Sequence, residues 1–191
     1  MIEIQKDQAE TLWKGCLAYL STKTNIDDAL DLASDKTNPL LTEISTIYRR
    51  LLQSLSNRQG MRNSIGNVED LSIVLCDFIP SEVCSKYKKN WQNLFDEIKI
   101  NINPNSRMDN SIPQNYWVVF CKGAIDAAVF LSKFKDGSEF VDSVKKLAES
   151  DIFVAGPPKV LEIEIHGLGF SLACDFLKES GWSQYAKADV H

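Results

Sequence analysis

The chain has 191 residues, of which 44% are hydrophobic and 25% are charged, and its net charge is −5. This composition is typical of a globular protein with a buried core, and the acidic balance argues against a protein that coats nucleic acid without specificity. No apolar run approaches the roughly 20 residues that span a bilayer, and the polar start MIEIQKDQAE is unlike a secretory signal. We therefore expect an intracellular protein, of the cytoplasm, nucleoid or nucleus, that does not enter a membrane.

The cysteines and histidines exclude several kinds of site. There is no C-x-x-C pair, and only two histidines are present, so structural zinc, an iron–sulfur cluster and a disulfide framework are not expected. No set of side chains suggests a metal site. The five cysteines are scattered among apolar residues and predict buried free thiols in a reducing compartment: Cys16, Cys76, Cys84, Cys121 and Cys174.

Apolar residues three or four positions apart predict helices through the first half of the chain. The predicted helices span residues 6–21, 27–33, 39–55, 68–78 and 81–99. The third of them has a proline at its first turn, where a missing N–H costs nothing.

The second half continues this pattern after an Asn-rich loop at residues 101–114. Residues 115–134 are apolar nearly all round and predict a buried central helix, and residues 138–148 predict another. Residues 159–165 alternate as a strand would, but we favour a helix because the neighbouring elements are helical. The sequence therefore predicts an all-α fold.

The predicted organisation is a single domain, residues 1–191, with two closely packed lobes. The lobes lie at about 39–100 and 113–191, joined by the loop at 101–114 and preceded by the helices within 6–33.

Residues 166–169 read H-G-L-G and lie between two apolar stretches. Glycines let a backbone approach closely, and the following helix offers free N–H groups and a positive dipole, so this turn could hold a phosphate. A carboxylate, Asp189, follows about twenty residues later. Taken alone, the glycines could instead form a plain turn, and Asp189 could be an exposed acid in a loop. There is no G-x-S-x-G elbow and no phosphate-binding P-loop.

Three segments together resemble the helix–hairpin–helix DNA glycosylase superfamily. IHGLGFSLA at 165–173 resembles its hairpin, L-x-G-[IV]-G-x-x-x-A, and ADVH at 188–191 is similar to its [PV]-D-V-H loop. SNRQ at 56–59 through IGNVEDL at 65–71 is similar to the lesion-wedge loop and following helix of the 8-oxoguanine glycosylase branch. The resemblance implies a glycosylase-like helical bundle, and members continue beyond D-V-H, so the chain looks truncated at its C-terminus.

The resemblance also implies a function: a DNA repair enzyme that hydrolyses the N-glycosidic bond of a damaged or mismatched base flipped from double-stranded DNA. Asp189 would stabilise the charge that develops at C1′ or activate the attacking group. The wedge would be residues 57–63, with Arg58 or Gln59 entering the duplex. The DNA-binding residues implied are Gly167, Leu168, Gly169, Ser171, Asn57, Arg58, Gln59, Arg62, Asn63 and His191.

One residue, Ser171, departs from the family pattern and limits the reaction that the resemblance implies. Bifunctional members carry a Schiff-base lysine where this chain has Ser171, and neither Lys178 nor Lys187 matches that position. Because serine cannot form an imine, glycosylase-only chemistry is favoured over strand cleavage. The resemblance implies a monomer with no cofactor, apart from a possible monovalent cation on the backbone carbonyls of residues 166–169.

The residues leave two other functions open. The chain could be a non-catalytic helix–hairpin–helix module that binds DNA or a protein, in which case Asp189 would not be needed for binding. It could also be a helical scaffold without DNA affinity, which the acidic net charge allows. The sequence does not name a lesion, because base pockets are built from several elements.

Overall fold

A computed structural model of the chain describes residues 11, 14–16, 18–19, 21–22, 39–148 and 155–185. The chain divides into two compact units, residues 1–36 and 37–191. In the first unit the described residues from 11 to 21 are helical, as predicted, and the helix predicted at 27–33 lies outside the described residues. The described part of the chain is helical and contains no strand, which confirms the all-α class.

Eight α-helices make up the described part of the second unit: α1 (Ile44–Ser56), α2 (Arg62–Ile65), α3 (Pro80–Tyr87), α4 (Trp91–Asn101), α5 (Tyr116–Leu131), α6 (Gly137–Ala148), α7 (Gly156–Glu164) and α8 (Phe170–Glu179). Residues 159–164 lie in α7, so the helix favoured for residues 159–165 is confirmed and the strand is not formed. The predicted loop is present between α4 and α5, and the Asn115 side chain ends it by accepting the Trp117 N–H at 3.0 Å.

Helix α5 is the central element of this unit, as its apolar sequence predicts. It contacts α1, α3, α4 and α7, so the two predicted lobes share one core. The buried Tyr48 hydroxyl donates to the Ala124 carbonyl at 2.9 Å. A Cβ on Gly123 would lie 2.5 Å from the His166 carbonyl oxygen and 2.6 Å from Leu55 Cδ2. The absence of a side chain at Gly123 therefore allows residues 165–169 to rest directly on α5.

The helix predicted at 39–55 begins later, at Ile44. Residues 39–43 are not helical, and the Leu41 N–H donates to the Ser180 carbonyl at 3.2 Å. This hydrogen bond ties the segment to the end of α8, so the proline does not start the helix.

The helix predicted at 68–78 is also wrong. The segment forms two short 3-10 turns, Val68–Leu71 and Cys76–Phe78. An α-helix would pair the Phe78 N–H with the Val74 carbonyl. That carbonyl accepts the Tyr87 hydroxyl at 2.5 Å instead, and the Phe78 N–H donates to the Leu75 carbonyl at 2.9 Å.

The helix predicted at 81–99 is two helices, α3 and α4. Lys88 and Lys89 have left-handed backbone conformations, with φ of 49° and 63°. The Asn90 side chain then accepts the Gln92 N–H at 2.9 Å and caps α4. The apolar residues keep a helical spacing across this break, which is why the pattern did not reveal it.

The prediction of buried thiols holds for only part of the set. Cys121 and Cys174 are buried, Cys76 and Cys84 are partly exposed, and Cys16 is exposed. Burial raises the pKa of the Cys121 thiol.

Candidate nucleic-acid interface

The hairpin between α7 and α8 is built on two glycines with different roles. Gly167 has φ +82°, and a Cβ there would lie 2.6 Å from Val119 Cγ1, so both conformation and space require glycine. Gly169 precedes α8 with φ −67°, and no atom lies within 4 Å of where its Cβ would be. Gly167 therefore packs the turn onto α5, while Gly169 leaves the start of α8 accessible.

Some backbone groups of the turn are engaged within the protein. The His166 N–H donates to Asp126 Oδ2 on α5 at 3.1 Å, and the Leu168 N–H donates to the Ile165 carbonyl at 3.2 Å. The N–H groups of Gly167 and Gly169 have no acceptor among the described residues. These two N–H groups are therefore the candidate donors to a ligand oxygen.

Two of the hairpin residues predicted to bind DNA, Leu168 and Ser171, lie in different environments, and so does Lys178, the lysine considered for lyase chemistry. Leu168 is 1% exposed, so its side chain is a core residue and only its backbone could meet a ligand. Ser171 is half-buried in the first turn of α8, and Lys178 is exposed in the last turn. Seven residues of helix separate them by about 10 Å, so Lys178 does not substitute for the missing lysine.

The predicted wedge loop, residues 57–63, ends earlier than expected. Its last two residues belong to α2. The five polar residues predicted to bind DNA are all exposed: Asn57, Arg58, Gln59, Arg62 and Asn63. Gly60 has φ +78°, and the Tyr116 hydroxyl occupies the place of its missing Cβ. Met61 is fully buried, so its side chain anchors the exposed loop to the core.

The wedge loop and the hairpin meet in the folded chain. The Arg58 guanidinium Nη1 lies 3.5 Å from the position that a Cβ on Gly167 would take. Arg49 and Arg50 pair with Glu69 at 3.4 Å and Glu179 at 3.1 Å, whereas Arg58 makes no ion pair within the described ranges. A positive charge without an acidic partner there thus lies beside the glycine turn.

A groove of about 530 Å3 runs beside the wedge loop and is open to solvent. None of the described residues that line it carries a carboxylate, and its polar lining includes Arg50, Gln53, Asn57, Arg62, Asn63 and Asn67. Arg50, Gln53 and Asn67 line this groove but were not among the residues predicted from the sequence. The spacing of Arg50, Gln53 and Asn57 by three and four residues, which puts them on one side of α1, was the available signal.

Besides Asp126, a second acidic residue, Glu162, lies close to the hairpin. The Lys159 ammonium, which donates to the Glu162 carboxylate at 2.6 Å, lowers the pKa of Glu162, and the Phe170 backbone N–H lowers it further. The carboxylate therefore lies near the start of α8, where an anionic ligand would meet repulsion.

The carbonyls proposed for a monovalent cation are not equivalent. The His166 oxygen lies against Gly123, and the Gly169 oxygen accepts the Ala173 N–H at 3.0 Å. This leaves the Gly167 and Leu168 carbonyls as the candidates. Among the described residues no group of three or more His, Cys, Asp or Glu side chains could hold a metal ion.

Asp189, His191 and Lys187 lie outside the described residues. Within the described ranges, no helix has the length and apolar character needed to cross a bilayer.

Comparison of the chain with protein-family models, curated proteins and solved structures finds no match. A functional assignment therefore depends on the chain's own residues and geometry.

Proposed function

We propose that this chain is a glycosylase-like DNA repair protein that hydrolyses the N-glycosidic bond of a damaged or mismatched base flipped from double-stranded DNA. One observation carries the proposal. The wedge-like loop and the glycine hairpin, which are far apart in sequence, adjoin in the fold, and Arg58 lies beside Gly167. A phosphate held at the hairpin would meet two backbone N–H donors and a guanidinium, which is a combination suited to it.

Different residues then hold different parts of an opened duplex. The N–H groups of Gly167 and Gly169 bind a strand phosphate, and Arg58 neutralises it. Because Arg58 is engaged there, the exposed Gln59 is the residue that fills the space left by the flipped base. The groove lined by Arg62 and its amide neighbours lies next to that position and suits base edges and phosphates.

The chemical step needs no covalent intermediate with the protein. As the bond between C1′ and the base nitrogen breaks, the Asp189 carboxylate stabilises the positive charge at C1′. Water adds its oxygen to C1′, and its proton ends on solvent or on the departing base. Ser171 cannot form an imine, so the products are a free base and an unbroken strand with an abasic site.

The test is base release under single-turnover conditions from duplexes that contain an oxidised, deaminated, alkylated or mismatched base. We expect release from at least one duplex, and a loss of about 100-fold or more in rate for Asp189→Asn with duplex affinity retained. The surface variant Asp142→Asn on α6 serves as the matched control. Borohydride should trap no covalent complex.

Failure across the whole panel, with salt-dependent duplex binding intact, would refute the catalytic proposal in favour of the non-catalytic module. Covalent trapping that depends on a lysine would refute the glycosylase-only chemistry.

A further inference from the structure

A second cleft, of about 230 Å3, adjoins the hairpin turn at His166. It is lined by Lys89, Trp91, Lys122, Ile125, Asp126 and His166. His166 belongs to the turn itself and precedes Gly167, so the cleft and the hairpin share a wall. Lys89 lies in the left-handed break between α3 and α4 and lines this cleft.

The cleft has a positive balance of charge. Lys122 Nζ lies 5.2 Å from the centroid of the Trp91 ring, at cation–π distance. Asp126 is the one carboxylate among the described lining residues, and its Oδ2 already accepts the His166 N–H. Lys89 and Lys122 make no ion pair within the described part of the chain.

Other lysines, unlike Lys89 and Lys122, form ion pairs. Lys86 and Lys133 each contact a glutamate at 2.5 Å, Glu97 and Glu164 respectively. Lys86 and Lys133 are therefore engaged within the protein, whereas the two ammonium groups of the cleft have no ion-pair partner among the described residues and are available to an external anion.

We infer that this cleft binds a phosphodiester group of the same DNA strand that the hairpin holds. The inference rests on the proposed function in that its ligand is DNA. Phosphates follow one another along a strand at about 3.4 Å of helix axis, so a backbone held at Gly167 reaches the cleft beside His166 within a few nucleotides. Lys89 and Lys122 neutralise that phosphate as point charges, and Trp91 orients Lys122.

The experiment measures the affinity for an undamaged duplex by fluorescence anisotropy between about 50 and 200 mM salt. Removing one lysine that neutralises a phosphate reduces the slope of log affinity against log salt by about 0.9. We expect the double variant Lys89→Ala/Lys122→Ala to bind several-fold more weakly, with a slope reduced by about 1 to 2. The matched control, Lys145→Ala/Lys146→Ala, replaces two exposed lysines of α6 and should leave the slope unchanged.

Further arms separate the possible outcomes. Lys122→Arg should keep the slope, because the charge and not the lysine packing is required. If Arg58→Ala weakens duplex binding while the lysine double variant has the wild-type slope, the inference is overturned and the proposed function stands. Binding of inorganic phosphate to the cleft with an unchanged duplex slope also overturns it. If the wild-type chain binds no duplex in a salt-dependent way, the proposed function fails, and the inference fails with it.

Discussion

Replacing Gly123 by alanine tests the packing of the hairpin on α5, on which the proposed interface depends. The new Cβ would lie 2.5 Å from the His166 carbonyl oxygen and 2.6 Å from Leu55 Cδ2, where ordinary contacts are about 3.5 Å or longer. Leu55 can adjust its side chain. The His166 oxygen is backbone, so the hairpin must move away from α5 by about 1 Å.

Two opposing effects set the size of the change. Overpacking of a buried contact costs about 1–3 kcal/mol, whereas replacing a glycine inside a helix by alanine gains about 1 kcal/mol. We therefore expect Gly123→Ala to lose about 1 kcal/mol, which for a unit of this size lowers Tm by roughly 2–4 °C. Gly15→Ala is the control, because Gly15 also lies within a helix and no atom lies within 4 Å of where its Cβ would be.

Urea denaturation followed by far-ultraviolet circular dichroism measures the free energy of unfolding of both variants. Duplex binding by Gly123→Ala should also weaken, because the donors of the hairpin shift together. If Gly123→Ala is instead more stable than the wild type by the full helical gain of about 1 kcal/mol, the hairpin does not rest on α5 and the proposed interface is wrong.

Three further predictions concern single residues. Tyr48 is fully buried with its hydroxyl hydrogen-bonded, so Tyr48→Phe should cost about 1–2 kcal/mol in urea denaturation. Burial raises the pKa of Tyr48, so the folded protein favours the protonated hydroxyl. The stability that this hydroxyl contributes is complete below about pH 10, the pKa of an unfolded tyrosine, and is lost as the pH rises above it. The phenylalanine variant should therefore lose less stability in alkali. Iodoacetamide should modify the exposed Cys16 long before the buried Cys121, and equal rates by peptide mass spectrometry would contradict that burial. Glu162→Gln should tighten duplex binding about two- to fivefold at low salt by removing a negative charge near the start of α8, whereas Asp142→Asn should not; an unchanged affinity would exclude Glu162 from the DNA-binding face.

The helix boundaries show where a local pattern is sufficient and where it fails. The central helix was predicted because its apolar residues continue nearly all round, a property that neighbouring residues express by themselves. The segment 68–78 has equally helical spacing, yet the Tyr87 hydroxyl takes the Val74 carbonyl that an α-helix would use. The backbone turns through left-handed conformations at Cys76, Asp77 and Phe78, and this departure from a helix cannot be read from the spacing of the segment alone.

The sequence by itself determined the all-α class, the buried central helix and the presence of a glycine turn followed by a helix, because each depends on residues close together in the chain. Only the tertiary structure decided which of the candidate residues lie next to one another. It brought Arg58 beside Gly167, buried the side chain of Leu168, and joined Lys89 and Lys122 in a cleft at His166. For the hairpin, the physical reason is the close approach at Gly123, where a backbone carbonyl of the hairpin takes the space of a missing side chain in α5.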